Sequence, residues 1–296
     1  MQEPVEFYSD GLKLAGRLWV PEDLAPGERR AGVVCVLGFG GLKEYTVPEV
    51  AQALMDDGYV ALTFDYRGFG DSEGPKWRII PAEQMRDIRN ATTFLVSQEV
   101  VDSDRLGIYG VSFGGGNAAM AAGTDPRLKV MVSVGGVSDG EEWLRGQRRY
   151  YEWIEFLDRL EADRVKRVRT GESEWVDTYD IMQPDPATIE THKKWFETAP
   201  HRRYKLPLET GEAVIAHKPI EVVPNISPRP ALWIHVEGDW LVPMEQSIKA
   251  FQMAGEPKKL ILLKGYRHHD VYQGPGLDEA KGHAMEWFGT YLPPRA

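Results

Sequence analysis

The chain reads as an α/β protein in which helices flank a mostly parallel central sheet. Short apolar runs recur at 32–37, 59–64, 106–109, 128–134, 231–236 and 260–263. They are rich in Val, Ile and Leu and do not alternate strictly, as expected of strands buried on both faces. Segments of helical length separate most of them, and strand alternating with helix is the pattern of right-handed βαβ units.

The elements follow in order. The chain opens with a hairpin, strand-like at 5–8 and 12–20 and joined at Asp10-Gly11, a strong turn dipeptide. A polar loop covers 21–30. A helix is predicted over 47–57, where Val50 and Leu54 precede a Gly58 stop. Another is predicted over 81–97, with Met85, Ile88, Thr92 and Leu95 at helical spacing. Segment 112–122 is a helix rich in small residues. Helices over 244–255 and 278–291 close the pattern, the last carrying Ala280, Ala284, Trp287 and Phe288. Residues 138–227 break the rhythm. They hold no clear sheet strand and are dense in charge over 141–169, yet Trp143, Tyr150, Ile154 and Leu157 recur at helical spacings, so helices are expected. We read 138–227 as a helical cap inserted into one core domain, formed by 1–137 and 228–296. Trp143, Trp153, Trp175 and Trp195 all fall in this cap, which is expected to roof a pocket at the strand ends.

Composition narrows the function. The 296 residues include 35 Lys plus Arg against 45 Asp plus Glu, a formal charge of −10. Such a chain has no overall field attracting phosphate backbones, which argues against nucleic acid as the main partner. One cysteine excludes an internal disulfide framework and a zinc site built on clustered cysteines. That cysteine, Cys35, falls inside the first core strand and reads as packing, not as a nucleophile. No run of 18 apolar residues occurs, and Met1-Gln2-Glu3-Pro4 does not resemble a signal peptide. A cytoplasmic protein acting on a small-molecule substrate is the expectation, with no membrane partner. A homodimer is the default oligomer on general grounds.

The strongest chemical signal is Gly110-Val111-Ser112-Phe113-Gly114, a G-x-S-x-G match between a predicted strand and a small-residue helix. A serine on such a sharp turn needs small neighbours, and it is exposed as a nucleophile. It also needs a base, which histidine supplies when a carboxylate orients it. Of seven histidines, His268 and His269 follow the last predicted strand, on the side of the sheet where Ser112 lies. His268 is preferred because Gly265-x-x-His268 lets a tight turn present the ring. Asp239, beyond Gly238 at the end of the 231–236 strand, is the orienting acid, with Glu237 as fallback. The N–H of Phe113 and the N–H of Phe39, in Gly38-Phe39-Gly40-Gly41, are the expected oxyanion donors. That glycine loop lacks the G-x-G-x-x-G spacing and a Walker lysine, so no nucleotide, cofactor or metal is expected.

These residues resemble the α/β-hydrolase superfamily, and within it the dienelactone-hydrolase-like and prolyl-oligopeptidase-like esterase and peptidase branch. The resemblance runs through Ser9 to Gly16, Gly41-Leu42-Lys43-Glu44, Phe64 to Ser72, Val101 to Gly107, the Ser112 turn, Ile226 to Pro230, and the Asp239 and His268 motifs. It covers about 200 residues outside the cap. The chain order Ser112, Asp239, His268 is that of the superfamily. His268, Asp270 and Tyr272 fit a family H-x-D-x-Y pattern, which favours His268 over His269. Two departures stand out: Leu37 replaces a histidine usual before the oxyanion glycine, and Val236 takes a glycine slot after His235. The resemblance implies a serine hydrolase acting through an acyl-enzyme. A small carboxylic ester is the leading substrate class; an amide or short peptide, transfer to another acceptor, and carbon–carbon bond cleavage are alternatives. Leu37, Tyr45, Trp77 and Trp240 are the pocket candidates. Arg67, Arg78, Arg145 and Arg148 are possible partners for a substrate carboxylate, although surface ion pairing is the better reading for most.

Overall fold

The computed structural model describes residues 1–45 and 47–295. The chain runs through β1 (Gln2–Ser9), β2 (Leu12–Trp19), β3 (Arg30–Val36), α1 (Pro48–Asp56), β4 (Val60–Phe64), α2 (Pro81–Val96), β5 (Val101–Val111), α3 (Phe113–Thr124) and β6 (Leu128–Val134). The cap segment follows as α4 (Gly140–Gly146), α5 (Tyr150–Thr170), β7 (Trp175–Asp177), α6 (Thr178–Ile181), α7 (Pro186–Thr198), β8 (Lys205–Pro207) and α8 (Glu209–Ile215). The chain then returns through β9 (Ala231–Val236), α9 (Glu245–Met253), β10 (Lys258–Leu263) and α10 (Gly274–Tyr291).

Eight strands form one sheet in the order β1-β2-β4-β3-β5-β6-β9-β10. The β1–β2 and β2–β4 pairs are antiparallel and the rest are parallel. The opening hairpin turns at Asp10 and Gly11, both at positive φ (50° and 80°), as a two-residue hairpin turn requires. Every residue of β3 and β4 is buried, which is why both read as unbroken apolar runs. From β3 the chain steps outward to β4, then crosses back to β5 on the other side. The sheet therefore has a topological switch point between β3 and β5, where such sheets place their sites.

The structure departs from the sequence reading at three elements. Strand β5 starts at Val101, five residues before its apolar run, because Asp102, Ser103 and Asp104 carry polar side chains that hide the strand. The cap contains a small antiparallel pair, β7 with β8, where no strand was expected. The helix expected around Tyr150, Ile154 and Leu157 exists as α5, but those three side chains are exposed. Its inward face is Trp153, Phe156, Leu160 and Asp163. Two apolar stripes compete on this helix, and the wider aromatic one faces the core.

The turn after β5 is the tightest point in the fold. Ser112 sits at φ 55° and ψ −128°, a conformation costly for any residue with a Cβ. A Cβ on Gly110 would collide with the carbonyl of Gly114, and one on Gly114 would collide with the carbonyl of Leu37. Gly114→Ala is therefore expected to cost about 2–3 kcal/mol, as overpacked cores do. It should appear as a lower urea midpoint at unchanged slope. Gly282→Ala, in the exposed middle of α10 where a Cβ meets nothing within 4 Å, should instead stabilise by roughly 0.5–1 kcal/mol.

Candidate active site

Strand register gathers the site. Val36 of β3 pairs with Gly110 of β5, so the loop leaving β3 and the Ser112 turn emerge side by side. Val111 pairs with Val134 of β6, and the Ser112 N–H donates to the Val134 carbonyl (2.7 Å). Ile234 and Val236 of β9 pair with Val134 and with Leu263 of β10, so the loops carrying Asp239 and His268 open at the same edge.

There the three side chains form a continuous hydrogen-bonded chain. The Ser112 hydroxyl lies 2.9 Å from His268 Nε2, and His268 Nδ1 lies 2.6 Å from Asp239 Oδ2. Asp239 offers only acceptors as a carboxylate, which assigns the proton to Nδ1 and leaves Nε2 to accept from Ser112. All three residues are buried. The other Asp239 oxygen accepts the N–H groups of Leu241 (3.0 Å) and Val242 (2.9 Å). Burial alone would raise this carboxyl's pKa, but His268, His235 and the Val242 N–H outweigh burial and hold it below its usual value. His235 supports the acid loop from beneath: Nε2 lies 2.8 Å from the Val242 carbonyl and Nδ1 2.7 Å from the Ser247 hydroxyl. Burial keeps His235 below the usual histidine range, so it stays neutral.

The loop after β3 is held by Lys43. Its N–H donates to Asp65 Oδ1 (2.8 Å), and its ammonium pairs with Asp65 and Asp71 (2.7 Å each). This fixes Gly38-Phe39-Gly40-Gly41 beside Ser112. The N–H groups of Phe39 and Phe113 find no protein acceptor among the described residues, so both remain available to a ligand. The Tyr272 hydroxyl and the Ser112 side chain both border the space that a Cβ on Gly38 would fill. Gly40 has φ 64°, and a Cβ there would run into the Tyr204 hydroxyl.

Above Ser112 lies a cavity of about 520 Å³. Gly38, Phe39, Ser112, Leu241, His268 and Tyr272 form its floor, and the cap supplies the roof through Met182, Ile189, His192, Trp195, Phe196, Arg202 and Tyr204. None of the four pocket candidates read from the sequence lines it. Leu37 is fully buried under the turn, its carbonyl occupied by the approach of Gly114. Trp77 lies one layer back, stacked 4.3 Å from Tyr204, which takes the lining position. Tyr45 is exposed and packs on Arg202 from behind. Trp240 is 73% exposed and borders a second cavity of about 620 Å³ on the far side of His268.

Of the four cap tryptophans, Trp195 reaches the first cavity. Trp143 is buried against Phe39 and Phe113, Trp153 is buried in α5, and Trp175 is exposed. The roof residues on α7 have a readable signal, because His192, Trp195 and Phe196 share one helical face. Arg202 ends a short 3-10 turn (Pro200–Arg202) and Tyr204 follows it, without periodicity, so the two leave none. No group of three or more His, Cys, Asp or Glu suited to a metal occurs among the described residues, and no helix there is long and apolar enough to cross a membrane.

The fold and this geometry define an α/β hydrolase. A family model described as X-Pro dipeptidyl-peptidase (S15 family) matches residues 10–269, and the chain belongs to that family. An uncharacterized 31.7 kDa protein from the traX-finO intergenic region of Escherichia coli is 29% identical over 289 residues, spanning 96% of this chain and 97% of that protein. Thiohydrolase aneE of Aspergillus aculeatus is 28% identical over 288 residues, spanning 93% of this chain and 88% of the relative. The solved structure of DcsB in complex with its substrate analogue is similar at a TM-score of 0.85 and 25% identity, covering 99% of this chain and 100% of that one.

His192 lies in the roof, its Nδ1 3.0 Å from the Tyr179 hydroxyl. Burial, aided by the positive charge of Arg202, lowers its pKa to about 4. The unfolded chain protonates a histidine near pH 6.5. The stability that neutral His192 supports is therefore complete above about pH 6.5 and is lost as pH falls towards 4. Urea midpoints should fall over this window, and His192→Phe should flatten the fall.

Proposed function

We propose that the protein is a serine hydrolase that cleaves an acyl ester or thioester through an acyl-enzyme. The hydrogen-bonded chain Ser112–His268–Asp239 beneath the cavity, with the Phe39 and Phe113 N–H groups free of protein acceptors among the described residues, carries this reading. His268 Nε2 takes the Ser112 proton as Oγ attacks the acyl carbon. Asp239 keeps the ring in the tautomer that can accept that proton and stabilises the imidazolium that forms. The N–H groups of Phe39 and Phe113 receive the oxyanion; losing one such donor costs roughly 3 kcal/mol of barrier. His268 then protonates the leaving group, and in the second half-reaction it activates water against the acyl-enzyme.

Ester and thioester leaving groups are preferred over amines for a reason of charge. A dipeptidyl-peptidase, as the family description has it, must hold a substrate α-ammonium, which calls for an inward carboxylate. The two acidic residues at this cavity are otherwise engaged: Asp177 accepts the Tyr179 N–H, and Glu197 is exposed to solvent. The thiohydrolase relative supports the thioester member of the pair.

A fluorophosphonate probe should label Ser112, and Ser112→Ala should abolish labelling and lower kcat by roughly four orders of magnitude or more. Asp239→Asn should leave a folded protein with kcat down by roughly 10⁴-fold. A panel of p-nitrophenyl esters, acyl thioesters and matched anilides tests the substrate class. Turnover of anilides as fast as esters would overturn the preference, and absent labelling of a folded protein would overturn the nucleophile.

A further inference from the structure

Among the described residues, Arg202 is the arginine shielded from solvent that the fold leaves unanswered. Other arginines shielded from solvent have acceptors. Arg67 pairs with Asp87 and Asp10, Arg78 with Glu83 and Glu209, and Arg30 with Glu28 and Asp23. Arg148 and Arg229 donate to backbone carbonyls. Arg202 is half-buried in the roof and has neither a carboxylate nor a carbonyl on its guanidinium among the described residues. Its contacts are aromatic faces: the guanidinium centre lies 4.3 Å from the Trp195 ring and 4.8 Å from the Tyr45 ring.

Stacking of this kind steadies the cation, but it leaves the in-plane N–H donors unused. Those donors form a planar fork that matches two oxygens of a carboxylate or phosphate. The remaining charged residues at the cavity do not compete for them. Lys193, Arg203 and Glu197 are exposed, and Asp177 is engaged with Tyr179. The same cavity holds Arg202 and Ser112, and its lining includes Phe39, Ile189, Trp195 and Phe196 beside the uncharged polar groups of Tyr204 and Tyr272.

We propose that Arg202 is a specificity residue that binds an oxyanionic group of the substrate, so that the enzyme acts on an acyl compound carrying a carboxylate or phosphate at a distance from the scissile carbonyl. This rests on the serine-hydrolase reading and names its substrate class. Burial first, and then neighbouring charges that include Arg202, lower the pKa of His192 and His269, and a bound anion would offset the Arg202 part.

Two matched pairs of substrates test it and separate the sources of the anion. In the first, p-nitrophenyl monoesters of straight-chain dicarboxylic acids are compared with neutral esters of equal length. In the second, one acyl group is presented on a thiol carrying a phosphate monoester and on the same thiol without it. Wild-type kcat/KM should favour the anionic member of one pair. Arg202→Gln should lower that value by roughly 10- to 100-fold, mainly through KM, and change the neutral member less than about twofold. Arg202→Lys should recover part of the loss. Fluorophosphonate labelling of Arg202→Gln at the wild-type rate shows that the variant is folded. If it is not, protection of wild-type Ser112 from the probe by a free dicarboxylic monoester is the readout. No anionic preference in either pair, or an equal loss on charged and neutral substrates, overturns the proposal. Binding of the dicarboxylic monoester to Ser112→Ala, measured by calorimetry, needs no turnover. It should vanish in Ser112→Ala/Arg202→Gln, so a failed hydrolase reading and a failed anion site give different results.

Discussion

Two backbones meet at the centre of this molecule with no room between them. The Ser112 turn passes so close to the end of β3 that Gly114 rests on the Leu37 carbonyl, and no side chain fits in the gap. The approach is set by the parallel pairing of Val36 with Gly110 and by the bond from Ser112 N–H to Val134. Ser112 stands there at positive φ, and Phe39 and Phe113 flank the turn with their rings in edge contact, 5.6 Å between centres. Such strain persists only where the surroundings over-determine it, and here three adjacent buried strands do so.

Electrostatics divides the site into two regions. Beneath Ser112, negative charge is concentrated on Asp239, which is answered by the N–H groups of Leu241 and Val242 and by Nδ1 of His268. Above it, the cap offers a cation, Arg202, with no carboxylate on its guanidinium among the described residues. Three imidazoles, His192, His269 and His268, run in edge contact between these regions, with ring centres 5.1 and 5.2 Å apart. Burial first, and then neighbouring charge, pull His192 and His269 well below the usual histidine range, so these two add no positive charge near neutral pH.

The legible parts of the chain share one property: each is written in a few neighbouring residues. Strands buried over nearly all of their length are mostly apolar, so β3, β4, β6 and β9 stood out. The turn around Ser112 requires glycines at fixed offsets, and the ends of β9 and β10 supply an acid and a histidine within a few residues. The α5 face was misjudged because Tyr150, Ile154 and Leu157 keep helical spacing as well as Trp153, Phe156 and Leu160 do. Periodicity finds a helix but does not say which of two stripes a neighbour will cover. Tyr45 and Trp77 were close to the cavity in sequence, yet each packs behind a residue that lines it, and Leu37 is buried beneath the Ser112 turn.

Local pattern thus determined the α/β class, the order of the main strands, and the identities of Ser112, Asp239 and His268 as partners, because turn geometry and burial leave few residues able to stand at those positions. The distances among them, the neutral state of His235 and the roof of the cavity depend on contacts between segments far apart in the chain. Tyr204 becomes a wall because Trp77, from another part of the chain, stacks on it. Arg202 is left without an acceptor because the cap folds it onto Trp195 and Tyr45 and brings no carboxylate to it among the described residues. A residue's unmet valence is a property of everything that could have met it, which no local stretch of sequence contains.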